Sequence, residues 1–68
     1  MGSVYKVIEI IGTSETSWED AAKNAISTAT ETLRDLRIAE VEEQDIKIED
    51  GKLIFRVKLH VSFKLETE

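Results

Sequence analysis

The stretch that decides the fold is "GKLIFRVKLHVSFKLE", residues 51–66, near the end of a chain of 68 residues. From residue 53 to residue 65 every odd position is apolar, and every even position except Ile54 is polar. Alternation with a period of two predicts a β-strand with one buried face and one solvated face. At about 3.3 Å per residue such a strand is roughly 40 Å long, more than the diameter of a small domain.

The rest of the chain predicts two more strands and one helix. Residues 4–11, "VYKVIEII", are rich in β-branched side chains and predict a first strand, which the following "GTS" is expected to end. A second strand is predicted from about residue 38 to residue 48. Between them, apolar residues recur at spacings of three and four up to residue 36, so we predict a helix of about 20 residues. Its start is predicted at Ser17 followed by Asp20, or at Thr16 followed by Glu19.

The predicted order is therefore β-α-β-β, an α+β fold in which a three-stranded antiparallel sheet wraps on one helix. A single domain is expected over residues 1–68. A core this small barely offsets the entropy of ordering the chain, and the absence of Cys excludes disulfides as a remedy. One helix also covers only part of the long third strand. Both observations predict an oligomer in which the ends of the sheet pack between subunits.

The turn between the second and third strands predicts their register. Asp50 and Gly51 favour the positive φ angles of a two-residue hairpin, which pairs residues whose numbers sum to 101. The polar-side pairs predicted in this way are Asp45 with Arg56 and Glu43 with Lys58. Further along, the same register would set carboxylates opposite core residues, which is costly. We therefore predict a β-bulge within residues 42–45, beyond which Val41 faces Leu59 and Ile38 joins the polar face.

Charge and composition narrow the function. The formal net charge of −5 disfavours nucleic acid and anionic membranes as partners and permits cations. No signal-peptide pattern and no apolar run of membrane-spanning length is present, so we expect a cytoplasmic location. No nucleophile, base and orienting group can be assembled from these residues, so we do not expect an enzyme. The single histidine, His60, and the single tryptophan, Trp18, are interpreted as structural.

Three segments give the chain a family likeness. They are "VYKVIEIIGTS" (4–14), "TLRDLRIAEV" (32–41) and "FRVKLHVSFKLE" (55–66), and together they resemble the dodecins across nearly the whole chain. The resemblance implies a hollow homododecamer, and it implies that the ends of the long strand build the interfaces of the cage. Most dodecins bind pairs of flavins stacked on tryptophan.

At the flavin positions this sequence departs from the family. The resemblance puts Ile38, in "LRIAEV", where the stacking tryptophan stands, and Arg56 where a glutamine reads the flavin ring. An aliphatic side chain has no π-face for an aromatic ring to stack on. The resemblance therefore implies a degenerate flavin site at Ile38 and Arg56, and flavin binding is not expected.

The likeness is greater to the non-flavin dodecins described as calcium-binding, because the chain carries "SVYKVIEIIGTSETSWE" and "VEEQD". The resemblance implies calcium, which prefers six to eight oxygen ligands. No EF-hand loop is present, so scattered acids would have to supply them. The first candidate group is Glu42, Glu43, Gln44 and Asp45, and the second is Glu15, Ser17 and Glu19. Alternatively, Glu43 and Asp45 only form cross-strand ion pairs.

The sequence as a whole predicts a dodecin-like homododecamer that binds calcium or another divalent cation, for storage, buffering or stabilisation of the shell. Two alternatives remain open at this point. One is a flavin-binding dodecin with a degenerate site, and the other is a purely structural shell.

Overall fold

A computed structural model describes residues 2–65 of the chain; the two ends of the predicted domain, residue 1 and residues 66–68, lie outside the described residues. The elements are β1 (Tyr5–Ser14), α1 (Trp18–Thr32), β2 (Leu36–Glu49) and β3 (Lys52–Lys64). The strands form one antiparallel sheet in the order β1-β3-β2, so β3 is central and pairs with both neighbours. The predicted β-α-β-β fold is confirmed.

The hairpin between β2 and β3 has the predicted register. Asp50 and Gly51 take φ angles of 50° and 78°, as a tight two-residue turn requires. Pairing continues from the turn through Asp45 opposite Arg56, and it then shifts by one residue between Val41 and Glu43. Glu42 is the extra residue, so the predicted bulge is confirmed and located.

The first strand is longer than predicted, because Gly12 does not end it. Gly12 lies in β1 opposite Val57, and pairing continues to Ser14 opposite Phe55. A Cβ atom on Gly12 would lie 2.8 Å from the Cβ of Ala25 and would overlap the carbonyl of Ala21. The glycine therefore allows α1 to approach the sheet closely, and this role for a strand glycine is compatible with an uninterrupted strand.

The helix is shorter than predicted, with 15 residues instead of about 20. Leu33 leaves the helical conformation with φ −112° and ψ 149°, and Asp35 has φ 58°, so the chain turns toward β2 before Leu36. The start matches the first predicted option. Ser17 is the N-cap, and its Oγ accepts a hydrogen bond from the backbone N–H of Asp20 at 3.0 Å.

The core lies between α1 and the centre of the sheet. Val57, Leu59 and Val61 of β3 are each 1% exposed and pack against a stripe of alanines that includes Ala21 and Ala25. Small side chains on the helix let its backbone come close to the sheet. The buried set is short, so much of the remaining apolar face, including Ile48 and Leu53, is exposed in the structure of residues 2–65.

Trp18 packs where the helix begins. Its ring meets that of Phe55 edge to face, with centroids 5.3 Å apart, and its Nε1–H donates to the backbone carbonyl of Asp45 at 3.0 Å. This placement agrees with the predicted structural role. Within residues 2–65, no helix is long and apolar enough to cross a membrane.

Candidate functional site

The candidate site is the polar face of the sheet, on the side away from α1. Three basic side chains of the central strand, Arg56, Lys58 and His60, alternate with the buried residues of β3. Carboxylates of the two outer strands lie beside them: Glu9 on β1, and Glu40, Glu42, Glu43 and Asp45 on β2. In the central part of this face, from the Asp45–Arg56 pair to the row at His60, five acids thus lie beside three basic side chains.

The half of this face nearer the hairpin turn is made of matched ion pairs. Arg56 donates from Nε and Nη2 to the two carboxylate oxygens of Asp45, both at 2.7 Å, and Lys58 Nζ lies 3.1 Å from Glu43 Oε1. The hydrogen bonds from Arg56 lower the pKa of Asp45, and those to Asp45 and Glu43 raise the pKa values of Arg56 and Lys58. With Ile11 these four residues line a cleft of about 210 Å³.

The other half is built around His60. Its Nε2 lies 2.9 Å from Glu9 Oε2, and its Nδ1 lies 3.3 Å from Glu42 Oε2. The hydrogen bond to Glu9 raises the pKa of His60, with smaller contributions from the charges of Glu42 and Glu40 and an opposing one from burial. The same hydrogen bond lowers the pKa of Glu9, and Lys58 contributes to that shift. Here one imidazole faces three carboxylates.

Two of these carboxylates and the imidazole converge. Ligand-capable atoms of Glu40, Glu42 and His60 all lie within 4.8 Å of one another, and over residues 2–65 this is the one group of three or more His, Cys, Asp or Glu side chains that does so. The sequence analysis selected neither Glu40 nor His60 as a ligand. The signal that could have found the group is the β2–β3 register beyond the bulge, because it sets Glu40 opposite His60 with Glu42 close by.

The first predicted metal group is divided by the pleat of the sheet. Glu42, Glu43 and Asp45 line the polar face, and the latter two form the ion pairs that were weighed as the alternative. Gln44 pairs with Val57 in register, on the opposite face. A single subunit therefore places three of the four residues on one face, each beside a different basic side chain.

The second predicted group lies at the start of α1. The Ser17 hydroxyl is already used as the cap of the helix, and Glu15 and Glu19 are exposed beside it. Asp20, in the same turn, accepts a hydrogen bond from Ser14 Oγ at 2.7 Å. Ser17 therefore binds a free backbone N–H at the helix start, and the negative charges of Glu19 and Asp20 suit the positive end of the helix dipole.

A sequence model of the dodecin family, described as Dodecin, matches residues 4–66. The chain belongs to the dodecin family. The chain is 55% identical over 64 residues to the calcium dodecin of Mycobacterium tuberculosis, covering 93% of this chain and 90% of that one. It is 45% identical over 67 residues to the dodecin of Thermus thermophilus, covering 97% of each.

Solved dodecin structures have the same fold. The crystal structure of the M. tuberculosis calcium dodecin, described as calcium chelating and as having a novel calcium-binding site, superposes with a TM-score of 0.87 at 52% identity, over 97% of this chain and 96% of that chain. A crystal structure of a T. thermophilus dodecin mutant superposes with a TM-score of 0.91 at 40% identity, over 98% of this chain and all of that one.

The two positions that the dodecin resemblance assigns to flavin are separate in this subunit. Ile38 lies opposite Ser62 near one end of the sheet and is 66% exposed. Arg56 is six residues from Ser62 along β3, or about 20 Å away, and it is held by Asp45. One subunit does not bring Ile38 and Arg56 together, so a shared ligand would need a second copy of the chain.

Proposed function

We propose that this dodecin-family chain assembles as a homododecamer and binds a divalent cation, with calcium as the first choice. The observation that carries the proposal is the 55% identity, over nearly the whole chain, to a protein named calcium dodecin. The acidic polar face of the sheet supports it independently. The role is one of binding and storage or of stabilising the shell.

The chemistry of the polar face suits a hard cation. Glu42, Glu43 and Asp45 offer carboxylate oxygens along one strand, and these are the ligands that calcium prefers. Calcium needs six to eight oxygens, so one strand supplies too few. We propose that neighbouring subunits or water complete the shell, and that neutralising the carboxylates offsets repulsion between subunits that each carry a charge of −5.

The candidate calcium ligands differ in how tightly basic side chains already hold them. Asp45 is held by two hydrogen bonds of 2.7 Å from Arg56, so calcium must displace a cation that is already well matched. Glu43 is held by a single contact of 3.1 Å to Lys58. Surface ion pairs of this kind contribute little free energy, so a divalent ion can compete with them.

The assembly is supported by the bare ends of the sheet. The described subunit measures 53 × 21 × 14 Å, an elongated shape with little volume for a core of its own. Large apolar side chains such as Ile48 and Leu53 are exposed at the hairpin end. Contact between copies would remove this surface from water and stabilise the shell.

The test begins with native mass spectrometry of protein purified without chelator. A twelve-subunit mass carrying calcium supports both parts of the proposal. A bare dodecamer that also fails to take up calcium in a calorimetric titration leaves the purely structural shell. A monomer or dimer overturns the proposed assembly.

The ligands are tested by calorimetric titration of Glu43→Gln combined with Asp45→Asn. We expect calcium affinity to fall about tenfold or more, because two carboxylates are replaced by neutral amides of the same shape. The matched control is Glu31→Gln combined with Glu49→Gln, which removes two charges elsewhere. Unchanged affinity in the first double variant rejects this group, and loss in Glu15→Gln with Glu19→Gln would transfer the site to the helix start.

The cation is favoured over flavin, because position 38 carries an aliphatic side chain. The decisive variant is Ile38→Trp, which adds a stacking surface at an exposed position. If the flavin pocket is otherwise intact, flavin affinity should rise sharply, as fluorescence quenching would measure. No gain would remove the flavin alternative.

A further inference from the structure

The strongest unassigned feature of the molecule is the row of side chains that crosses all three strands at His60. We propose that Glu40, Glu42 and His60 bind a first-row divalent transition metal of the zinc class, with Glu9 as the residue that orients the imidazole. This inference goes beyond the calcium proposal and does not depend on it, because it rests on a nitrogen ligand that calcium does not seek.

The backbone delivers these groups to one point. Glu9, His60 and Glu40 are direct partners in the β1-β3-β2 register, so they form a single cross-strand row with the histidine in the middle. The shift between Val41 and Glu43 adds Glu42 beside this row. Glu42 is the extra residue of the bulge. If β2 alternated strictly and lacked it, the polar face would have one carboxylate fewer beside His60.

The set of ligand types selects the metal. An imidazole nitrogen with two carboxylates suits zinc and its first-row neighbours, which take three protein ligands and leave a position for water. The ligand atoms of Glu40, Glu42 and His60 already lie within 4.8 Å of one another. Rotation about side-chain bonds closes this spacing to metal–ligand distances of about 2.0–2.2 Å.

Glu9 provides the outer contact that metal-binding histidines almost always have. When the proton of the imidazole is on Nε2, that N–H donates to Glu9 Oε2 at 2.9 Å. Nδ1 then carries the lone pair, and it is the nitrogen that faces Glu42 at 3.3 Å. A carboxylate on the remote nitrogen fixes the tautomer and the ring orientation and makes the ligating nitrogen more basic.

The excess of negative charge around His60 also favours binding of a cation. Around His60 there are three carboxylates from two strands, and the next basic residue along β3, Lys58, is engaged by Glu43 at 3.1 Å. By contrast, the Asp45 carboxylate has a complete bidentate partner in Arg56. At the His60 end of the described polar face, carboxylates therefore outnumber the basic side chains that contact them.

The experiment titrates the intact wild-type protein, in its native assembly, with Zn²⁺ and with Co²⁺ at about pH 8, above the ordinary histidine pKa. His60 is the only histidine in the sequence, so its imidazole signals in NMR report on one site. We expect Zn²⁺ to shift these signals and Co²⁺ to give the visible absorption of a low-coordinate site with a nitrogen ligand. The variant His60→Gln should lose about tenfold or more in Zn²⁺ affinity and lose the Co²⁺ spectrum.

Two carboxylate variants and one control keep the test sharp if His60→Gln misfolds. Glu40→Gln and Glu42→Gln should each weaken Zn²⁺ binding, whereas Glu49→Gln, the same change near the hairpin turn, should not. Glu9→Gln tests the positioning role, because it should weaken binding about tenfold and also shift the imidazole ¹⁵N signals of the metal-free protein toward the other tautomer. A role confined to folding would not move that tautomer signature.

The outcomes separate this site from the proposed calcium function. Zn²⁺ binding that depends on His60, with calcium affinity unchanged in His60→Gln, supports a transition-metal site that shares at most Glu42 with the calcium site. Zn²⁺ binding that depends on His60 in a protein that takes no calcium supports this inference and removes the other. Wild-type Zn²⁺ affinity in His60→Gln, or imidazole signals that do not move on titration, overturns the transition-metal site whatever the calcium result.

Discussion

The middle and the ends of β3 have the same sequence pattern and opposite environments. Val57, Leu59 and Val61 are 1% exposed, whereas Leu53 is 49% exposed and Leu65, directly after the last residue of β3, is 38% exposed, although all five lie on the same side of the alternation. The helix explains the difference, because its 15 residues span about 22 Å against roughly 40 Å of strand. Alternation thus predicts which side is apolar but does not predict what covers it.

The largest effect is expected at the uncovered hairpin end. Ile48, which is 75% exposed, pairs in register with Leu53. We expect Ile48→Asp with Leu53→Asp to abolish the proposed homododecamer, because burying two unpaired carboxylates between subunits is costly. Light scattering coupled to size-exclusion chromatography measures the result. A double variant that remains at the wild-type mass would show that this end is solvated in the assembly. The exposed end of the sheet would then not be an interface between subunits.

In the covered middle, the expected effect is on the subunit itself. Leu59→Ala removes a side chain that is 1% exposed and leaves a cavity, so the free energy of unfolding should fall by about 2–5 kcal/mol. Urea denaturation at one fixed protein concentration measures it, because the stability of an oligomer depends on concentration. A loss below about 1 kcal/mol would mean that the core repacks around the cavity.

A smaller loss is expected where the helix meets β1. Gly12→Ala adds a Cβ atom 2.8 Å from the Cβ of Ala25, so the helix must move outward. Overpacking of this kind costs about 1–3 kcal/mol. Gly2→Ala is the matched control, because its added Cβ has no neighbour within 4 Å, and thermal denaturation should find it close to wild type. Equal melting temperatures for the two variants would contradict the close approach of α1.

The smallest effect on stability is expected from the Asp45–Arg56 ion pair, which lies on the polar side of the sheet. The hydrogen bonds from Arg56 lower the pKa of Asp45 below its usual 3.8. The pair therefore stabilises the fold fully above the unfolded-state pKa, and that contribution is lost as the pH falls through the lower folded-state pKa.

The measurement is the difference in stability between wild type and Asp45→Asn, in the presence of chelator. This difference should be constant above about pH 5 and should shrink as the solution is acidified below the usual Asp pKa. Because the pair is exposed, we expect the difference to be small at every pH. A difference that grows on acidification would show that the Asp45 pKa is raised in the folded protein.

The polar face shows how far reasoning from sequence reaches into the candidate site. The hairpin rule predicted Asp45 opposite Arg56, Glu43 opposite Lys58 and a bulge nearby, because a two-residue turn links strands that are adjacent in sequence. It did not predict Glu9 beside His60. Those residues are 51 positions apart, and their contact depends on which edge of the hairpin the first strand joins.

By itself, the sequence determined the number and order of the elements, the apolar side of β3, the β2–β3 register and the existence of the bulge, because each follows from local periodicity and turn geometry. The tertiary structure alone decided that β1 continues through Gly12, that the helix ends at Thr32, and that Glu9 and Glu42 meet at His60. These features depend on contacts between segments far apart in the chain. Such contacts form only when the helix packs on the sheet and the first strand pairs with the last.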